Sequence, residues 1–287
     1  MIPGARPIAM AAAMLMVTVQ AHAQGIGLPG QDRSTPIEIY ADDGIEWQQN
    51  SQVYIARGNA RAVQGEVTIF SDVLIAYYRK RPQGGTQIWR MDAIGNVRIV
   101  SPEQTAYGAK AVYGVDSGVL VMTGKPLLVT KTDRITARDS LEYWEKRSLA
   151  VARGNAIAIR GDKRLRADVL IAYFVKGKNG KSEMQQINAF DNVLISTPTE
   201  IVRAQRGVYN VKTGIVVATG SVKISRGQDQ LNGQAAEINL NTGISRMLGS
   251  AAGRVHGSFQ SQSVKGKAAR QGTKSMPPRR KDGETGK

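Results

Sequence analysis

The chain has 287 residues, no cysteine and a formal charge of +16. Lack of cysteine excludes a disulfide scaffold, a thiol redox centre and any Cys-ligated zinc, and the length allows a sizeable core or two modules. The excess of Lys and Arg points to an anionic partner: nucleic acid, phospholipid headgroups or a phosphorylated glycolipid.

Residues 1–23 read as a cleaved signal peptide. Arg6 supplies a positive n-region, 8–19 is an apolar run short of a membrane span, and Ala21-His22-Ala23 is an A-x-A cleavage site. An exported chain rarely meets nucleic acid, so among anionic partners the lipids are favoured. Residues 24–36 read as a linker.

Self-comparison then organises the chain. Tyr54-Ile55-Ala56-Arg57-Gly58-Asn59-Ala60 recurs as Ala150-Val151-Ala152-Arg153-Gly154-Asn155-Ala156, and Asp72-Val73-Leu74-Ile75-Ala76-Tyr77 recurs unchanged from Asp168. Both are displaced by 96 positions, and 14 of 28 residues agree between 53–80 and 149–176 without a gap. Copy one spans 37–132 and copy two 133–228, with a partial third at 229–250. Residues 251–287 read as a basic disordered tail, rich in Gly, Ser, Lys and Pro.

Within each copy the apolar period is two. In Val97-Arg98-Ile99 and Val222-Lys223-Ile224 a charge falls between β-branched residues, the mark of a strand with one apolar face. Short strands are expected to follow Gly/Asn turns at Gly58-Asn59, Gly95-Asn96, Gly124-Lys125, Gly154-Asn155, Asp191-Asn192 and Gly220-Ser221. No convincing amphipathic helix follows the signal. The segment 137–146 comes nearest, but it stands in register with a strand-like segment of copy one. The fold class is therefore all-β: antiparallel strands, internally duplicated, stacked along an elongated jelly roll with open edges.

The β-branched face includes Val53, Ile55, Val67, Ile69, Val97, Ile99, Val119 and Val121 in copy one. In copy two it includes Ile157, Ile159, Val193, Ile195, Ile215, Val217, Val222 and Ile224. An apolar β-face is ordinarily plain core; it also suits the lining of an apolar channel.

Taken in order, the motifs resemble the OstA-like domain family. The positions that carry the resemblance are Ile39, Ala41, Asp42 and Trp47; Ala56, Gly58 and Asn59; Asp72, Leu74 and Tyr77; Gly95, Asn96 and Val97; Ala111 and Tyr113; and Gly124. Most have a like partner 96 residues on, and Arg138, Asp191 and Gly207 depart from it. The resemblance covers 37–250. It implies a long, open β-jelly roll in the Gram-negative periplasm that carries lipopolysaccharide from the inner to the outer membrane. The acyl chains of lipid A would lie in the apolar interior, making the β-branched residues above the groove candidates. Lipid A phosphates would meet Lys/Arg near the groove mouth, with Arg57, Arg98, Arg153 and Lys223 as candidates. The implied partners are an inner-membrane anchored component at the N-terminal edge, an outer-membrane translocon at the C-terminal edge, and further copies head to tail. Edge strands near 37–40 and 234–240 are expected to offer unpaired backbone groups for this. The duplication here is unusually close, and the basic tail is not part of the family pattern.

No catalytic set stands out, and no cofactor or metal is implied. Gly25-Ile26-Gly27-Leu28-Pro29-Gly30 spells G-x-G-x-x-G but follows no strand. His256 is the one histidine after the signal. Asp42, Asp43, Asp139 and Asp168 suggest glycoside chemistry only as carboxylate pairs; recurrence at 96 residues favours a structural use. The alternative function is a β-solenoid polysaccharide-acting enzyme or adhesin, which should show acids or aromatics breaking the repeat at one place.

Overall fold

A computed structural model describes residues 36–82, 84–177, 182–249 and 254–259. The signal peptide, most of the linker, the glycine-rich decoy and nearly all of the basic tail lie outside the described residues.

Copy one supplies β1 (Glu38–Tyr40), β2 (Gly44–Gln48), β3 (Val53–Gln64), β4 (Val67–Lys80), β5 (Thr86–Ser101), β6 (Gln104–Gly114), β7 (Val119–Thr123) and β8 (Leu127–Thr130). Copy two supplies β9 (Asp133–Thr136), β10 (Ser140–Trp144), a 3-10 turn at Glu145–Arg147, β11 (Leu149–Arg160), β12 (Lys163–Lys176), β13 (Ser182–Ser196), β14 (Ile201–Asn210) and β15 (Ile215–Arg226). β16 (Asp229–Asn239), β17 (Ile244–Leu248) and β18 (His256–Ser258) follow. The helix-like segment 137–146 thus has strand at Ser140–Trp144 and runs into the 3-10 turn, with no α-helix. β16 repeats β9 and β10 at the 96-residue offset, so the partial third copy extends the same sheet.

Every pairing is antiparallel, and most join strands that are neighbours in the chain; β1–β3, β6–β8, β7–β10, β9–β11 and β16–β18 do not. Four rows are broken in two: β1 with β2, β7 with β8, β9 with β10, and β17 with β18 each line up along one neighbour. Among the described residues the row β1/β2 pairs only with β3, and β17/β18 only with β16, so the described sheet ends in two free edges. Residues 234–240, expected at an edge, fall mostly in β16, which is paired on both sides.

Gly124-Lys125 precedes β8 as expected, but the other five pairs do not begin strands. They sit in mid-row as bulges, where the register slips between Arg57 and Ala60, Ile94 and Val97, Arg153 and Ala156, Phe190 and Val193, and Thr219 and Val222. Both residues of each pair are left-handed, for example Gly58 at φ 74° with Asn59 at 43°, and Gly95 at 78° with Asn96 at 45°. Glycine and asparagine tolerate this region best. At Gly58, Gly95 and Gly154 a side chain would also collide with Asp43, Asp72 and Asp139 respectively. Asp72, together with Asp42 and Asp168, also belongs to a bridge between rows. Asn59 Nδ2 donates to Asp42 at 2.8 Å, Asn96 Nδ2 to Asp72 Oδ2 at 3.0 Å, and Asn192 Nδ2 to Asp168 at 2.7 Å. The repeated aspartates therefore fix the bulges, which is a structural use.

A bulge bends its strand and sharpens the twist. Stacked in register, the bulges fold the whole sheet along a spine into two facing half-sheets. One half ends in a rim of tight turns such as Gly65-Glu66 and Gly161-Asp162, and the other in a rim of longer loops such as 49–52 and 145–148. Ile69 and Ile99 from the turn half meet Leu74, Met91, Ala93, Ala111, Tyr113 and Leu120 from the loop half in one buried cluster. The molecule is an elongated, open β-jelly roll, internally duplicated.

Candidate functional site

Among the described residues, the interior is a predominantly apolar surface that runs the length of the fold, with buried Gln64, Gln104 and Glu200 at its turn rim. Its lining is set by alternation within each half-row. Next to the spine it is rich in alanine: Ala56, Ala60, Ala93 and Ala111 in copy one, and Ala152, Ala156, Ala189 and Ala218 further on, all buried. Small residues let the two half-sheets approach closely there, while larger ones fill the wider space towards the rims.

Half of the candidate groove residues lie on this inner face. Val67, Ile69, Val97 and Ile99 belong to the copy-one cluster. Val193 is buried in the first copy-two cluster, Ile195 packs half-buried between the two copy-two clusters, and Val222 and Ile224 are buried in the second. The other half point away. Val53 and Ile55 are buried but alternate with Tyr54 and Ala56, which pack on the core; they lie under an outer layer that includes Tyr77 and Ile75. Val119 and Val121 alternate with buried Leu120 and Met122, Ile157 and Ile159 with Ala156 and Ala158, and Ile215 and Val217 with buried Val216 and Ala218. These segments are unbroken apolar runs, so β-branching alone does not say which parity faces in. Alanine, leucine and methionine occupy the inner positions instead.

The four cations do not line a mouth. Because the Gly/Asn pairs form the spine, Arg57, Arg98, Arg153 and Lys223 sit on the outer face near it. Arg57 and Arg153 are exposed. Arg98 rests 3.9 Å over the Phe70 ring, and Arg153 Nε donates to Glu142 at 2.7 Å. Lys223 stands opposite Arg203 on the neighbouring strand.

The two copies differ most towards the rims. In copy one the interior is sealed. The space left among Ile69, Leu74, Met91, Ala93, Ile99, Ala111, Tyr113 and Leu120 is ≈ 10 Å³, about enough for a single water. Three aromatics close the loop rim: Trp47 and Tyr54 have ring centroids 5.7 Å apart, Tyr54 and Tyr78 4.9 Å, and Trp47 Nε1 donates to the Tyr78 hydroxyl at 2.8 Å. At the matching positions of copy two stand Tyr143, Ala150 and Phe174. There Ala158, Leu165, Ala172, Phe174, Ile187 and Ile195 are only half-buried, whereas their counterparts Ala62, Ile69, Ala76, Tyr78, Met91 and Ile99 are buried. Val67, on the turn rim of copy one, is replaced by the exposed Lys163.

Copy two closes its rims with polar groups. Arg160 Nη2 donates to Asp133 at 2.8 Å. Burial pushes the Asp133 carboxyl up, but hydrogen bonds from Arg160, Thr132 and Thr130, with the charge of Arg160, outweigh it and hold it below the ordinary carboxylate range. Glu142, on the outer face beside Arg153 rather than at a rim, has the same balance: burial raises it, and hydrogen bonds from Arg153, Trp144 and Ser140, with the charge of Arg153, bring it lower. Near the C-terminal end the buried Glu200 of the turn rim accepts from Ser245 Oγ of the loop half at 3.2 Å and from Arg226 at 2.9 Å, and Arg226 also reaches the Gly243 carbonyl at 3.3 Å. Glu200 stands where copy one has Gln104, and the substitution of a carboxylate for a carboxamide is a signal that the repeat comparison carried.

Among the described residues no group of three or more His, Asp or Glu converges on a metal-sized site. A search of curated proteins finds no match. Among solved structures, LptH of Pseudomonas aeruginosa, the LptA homologous periplasmic component of its lipopolysaccharide transport device, aligns over 44% of this chain and 87% of its own, with 19% identity and a TM-score of 0.37. The family profile described as LptA/(LptD N-terminal domain) LPS transport protein matches twice, at 38–143 and at 134–244. The second match begins where the internal repeat begins, and together the two cover β1 to β16. Chain order, bulge spacing and duplication thus converge, and the chain belongs to the LptA/LptD N-terminal domain family of lipopolysaccharide transport proteins.

Proposed function

We propose that this chain is a non-enzymatic, periplasmic carrier that bridges the inner and outer membranes and conveys lipopolysaccharide between them. Acyl chains would lodge between the half-sheets of copy two. The observation that carries this reading is the half-exposed apolar lining at Leu165, Ala172, Phe174, Ile187 and Ile195. Apolar surface left accessible inside a fold gains by taking up an apolar ligand. The matching positions Ile69, Ala76, Tyr78, Met91 and Ile99 of copy one are buried.

The free edges suit assembly. The row β1/β2 would take an inner-membrane anchored partner, the row β17/β18 an outer-membrane translocon, and either would take a further copy head to tail by strand addition. Export would depend on the signal at 1–23, with 24–36 as linker, and the basic tail at 251–287 would add charge to the C-terminal contacts.

Photo-crosslinking in cells tests the carrier. A photoreactive residue at Ile195 or Ile187 should give ultraviolet-dependent adducts that react with anti-lipopolysaccharide antibody. The same residue at Val217, which is 40% exposed on the outer face, should not. Adducts at neither place, with folded protein present, or equal adducts at both, would sink the proposal.

A further inference from the structure

The outer face of copy two carries cations that the fold leaves uncompensated. Across β12, β13, β14 and β15 the facing residues are Arg166, Leu194, Arg203 and Lys223. The same row in copy one reads Phe70, Arg98, Tyr107 and Leu127. There one cation is satisfied by an aromatic ring at 3.9 Å. In copy two the aromatics have become arginines and the arginine a leucine, so a single stacked charge is replaced by three around an apolar residue. Like charges facing each other across a ladder, as Arg203 and Lys223 do, weaken the sheet. None of the three has an ion-pair partner among the described residues.

Beside this row the left-handed pairs Asp191-Asn192 and Gly220-Ser221 interrupt the ladder. They leave a pocket of ≈ 290 Å³ whose lining includes Arg166, Asn192, Leu194, Arg203, Gln205 and Ser221. Asn192 Nδ2 is committed to Asp168. The groups free to donate are two guanidinium forks, the Gln205 carboxamide and the Ser221 hydroxyl, over the leucine. Forked N–H donors converging with an O–H match the oxygens of a phosphate.

We propose that this pocket is a phosphate-binding site. It takes a phosphate group, presented either by an anionic lipid headgroup or by a small free anion. Its cations stand on the outer face, while its floor reaches the spine at Val193 and Ala204; the site stands or falls independently of the carrier reading.

The test uses the full chain, the double variant Arg166→Gln/Arg203→Gln, and a charge-matched control, Lys80→Gln/Lys110→Gln, on copy one. Two probes are titrated: inorganic pyrophosphate by calorimetry, and phosphatidylcholine vesicles with and without phosphatidylglycerol by flotation. Saturable binding that weakens about tenfold or more in the arginine variant and not in the lysine control is expected, as for loss of charge-assisted hydrogen bonds. Arg203→Lys, which keeps the charge, should retain part of it. Pyrophosphate binding without vesicle retention identifies a small anion; retention on phosphatidylglycerol vesicles alone identifies a headgroup. Absence of saturable binding to either probe overturns the site. So does equal loss in both double variants, because net charge alone would then explain it. Unchanged near-ultraviolet circular dichroism and melting temperature establish that the arginine variant is folded.

Discussion

In copy one and copy two the long strands β3 to β6 and β11 to β14 match to within a residue, and the copies share bulge positions and the alanine layer beside the spine, yet they treat their rims differently. Copy one closes with apolar and aromatic side chains, among them Trp47, Tyr54, Tyr78, Met91 and Ile99. Copy two places Ala150, Ile187 and Ile195 at the corresponding points, leaves them partly exposed, and relies on Asp133, Arg160, Glu200 and Arg226 at the edges. A backbone can therefore be specified by its bulges and spine while the distance between its rims is set separately by a few side chains. In such a fold the spine carries the stability and the rims carry the access.

The largest effect should come from breaking the spine. Gly95 is left-handed at φ 78° and has Asp72 against the place a side chain would occupy. Gly95→Val forces a β-branched residue into that region and breaks the Asn96–Asp72 bridge, so a loss of at least ~3 kcal/mol is expected. The equivalent residue of copy two is already an aspartate, Asp191, at φ 58°. Asp191→Gly should change stability by less than about 1 kcal/mol. Urea unfolding of both variants checks the contrast, and comparable losses would show that the bulges are not strained alike.

Next come paired truncations of the interior. Ile99 is 2% exposed and touches both half-sheets, so Ile99→Ala should cost about 2–5 kcal/mol. Ile195, its counterpart 96 residues on, is half-buried, and Ile195→Ala should cost about half as much because part of its surface already meets water. Equal losses would mean that copy two is sealed in solution.

A third variant alters access rather than stability. Tyr54→Ala gives copy one the alanine that copy two has at 150, and removes the ring that links Trp47 to Tyr78. A photoreactive residue at Ile99 should give no lipopolysaccharide adduct in the parent chain and a clear adduct in Tyr54→Ala. Silence in both would assign the seal to Met91 and Tyr113 instead.

How far this was legible in the sequence follows from the same distinction. The spine was legible as a pattern, because Gly/Asn pairs at a 96-residue offset leave a mark that composition alone does not. Their meaning was misread, since a left-handed pair serves a hairpin and a mid-strand bulge equally well, and that moved Arg57 and Arg153 from the expected mouth to the spine. Facing was legible where a charge split two apolar residues, as in Val97-Arg98-Ile99. It was not legible in runs such as Ile215-Val216-Val217-Ala218, where both faces are apolar and only packing against the opposite half-sheet decides. Rim exposure depends on contacts between residues far apart in sequence, such as Glu200 with Ser245, which no local period encodes.

The smallest expected effect separates the copies by acid. Asp133 and Glu142, both held below the ordinary carboxylate range, stand at the start of copy two. A carboxyl with a depressed folded pKa binds its proton more readily in the unfolded chain, so it stabilises fully above the unfolded value, about 4 for both. That contribution is lost as pH falls through the lower folded values. Because the partners Arg160 and Arg153 are substantially exposed, solvent screens each pair and the loss should be about 1 kcal/mol or less. Amide hydrogen exchange between pH 6 and pH 3, corrected for the intrinsic rate, should show protection falling first along β9, β10 and β11, with β3 to β5 changing later. Asp133→Asn should remove part of that pH dependence while leaving β3 to β5 untouched. If β4 and β5 lose protection before β9 and β10, the apolar rim is the weaker one, and the assignment of access to copy two is reversed.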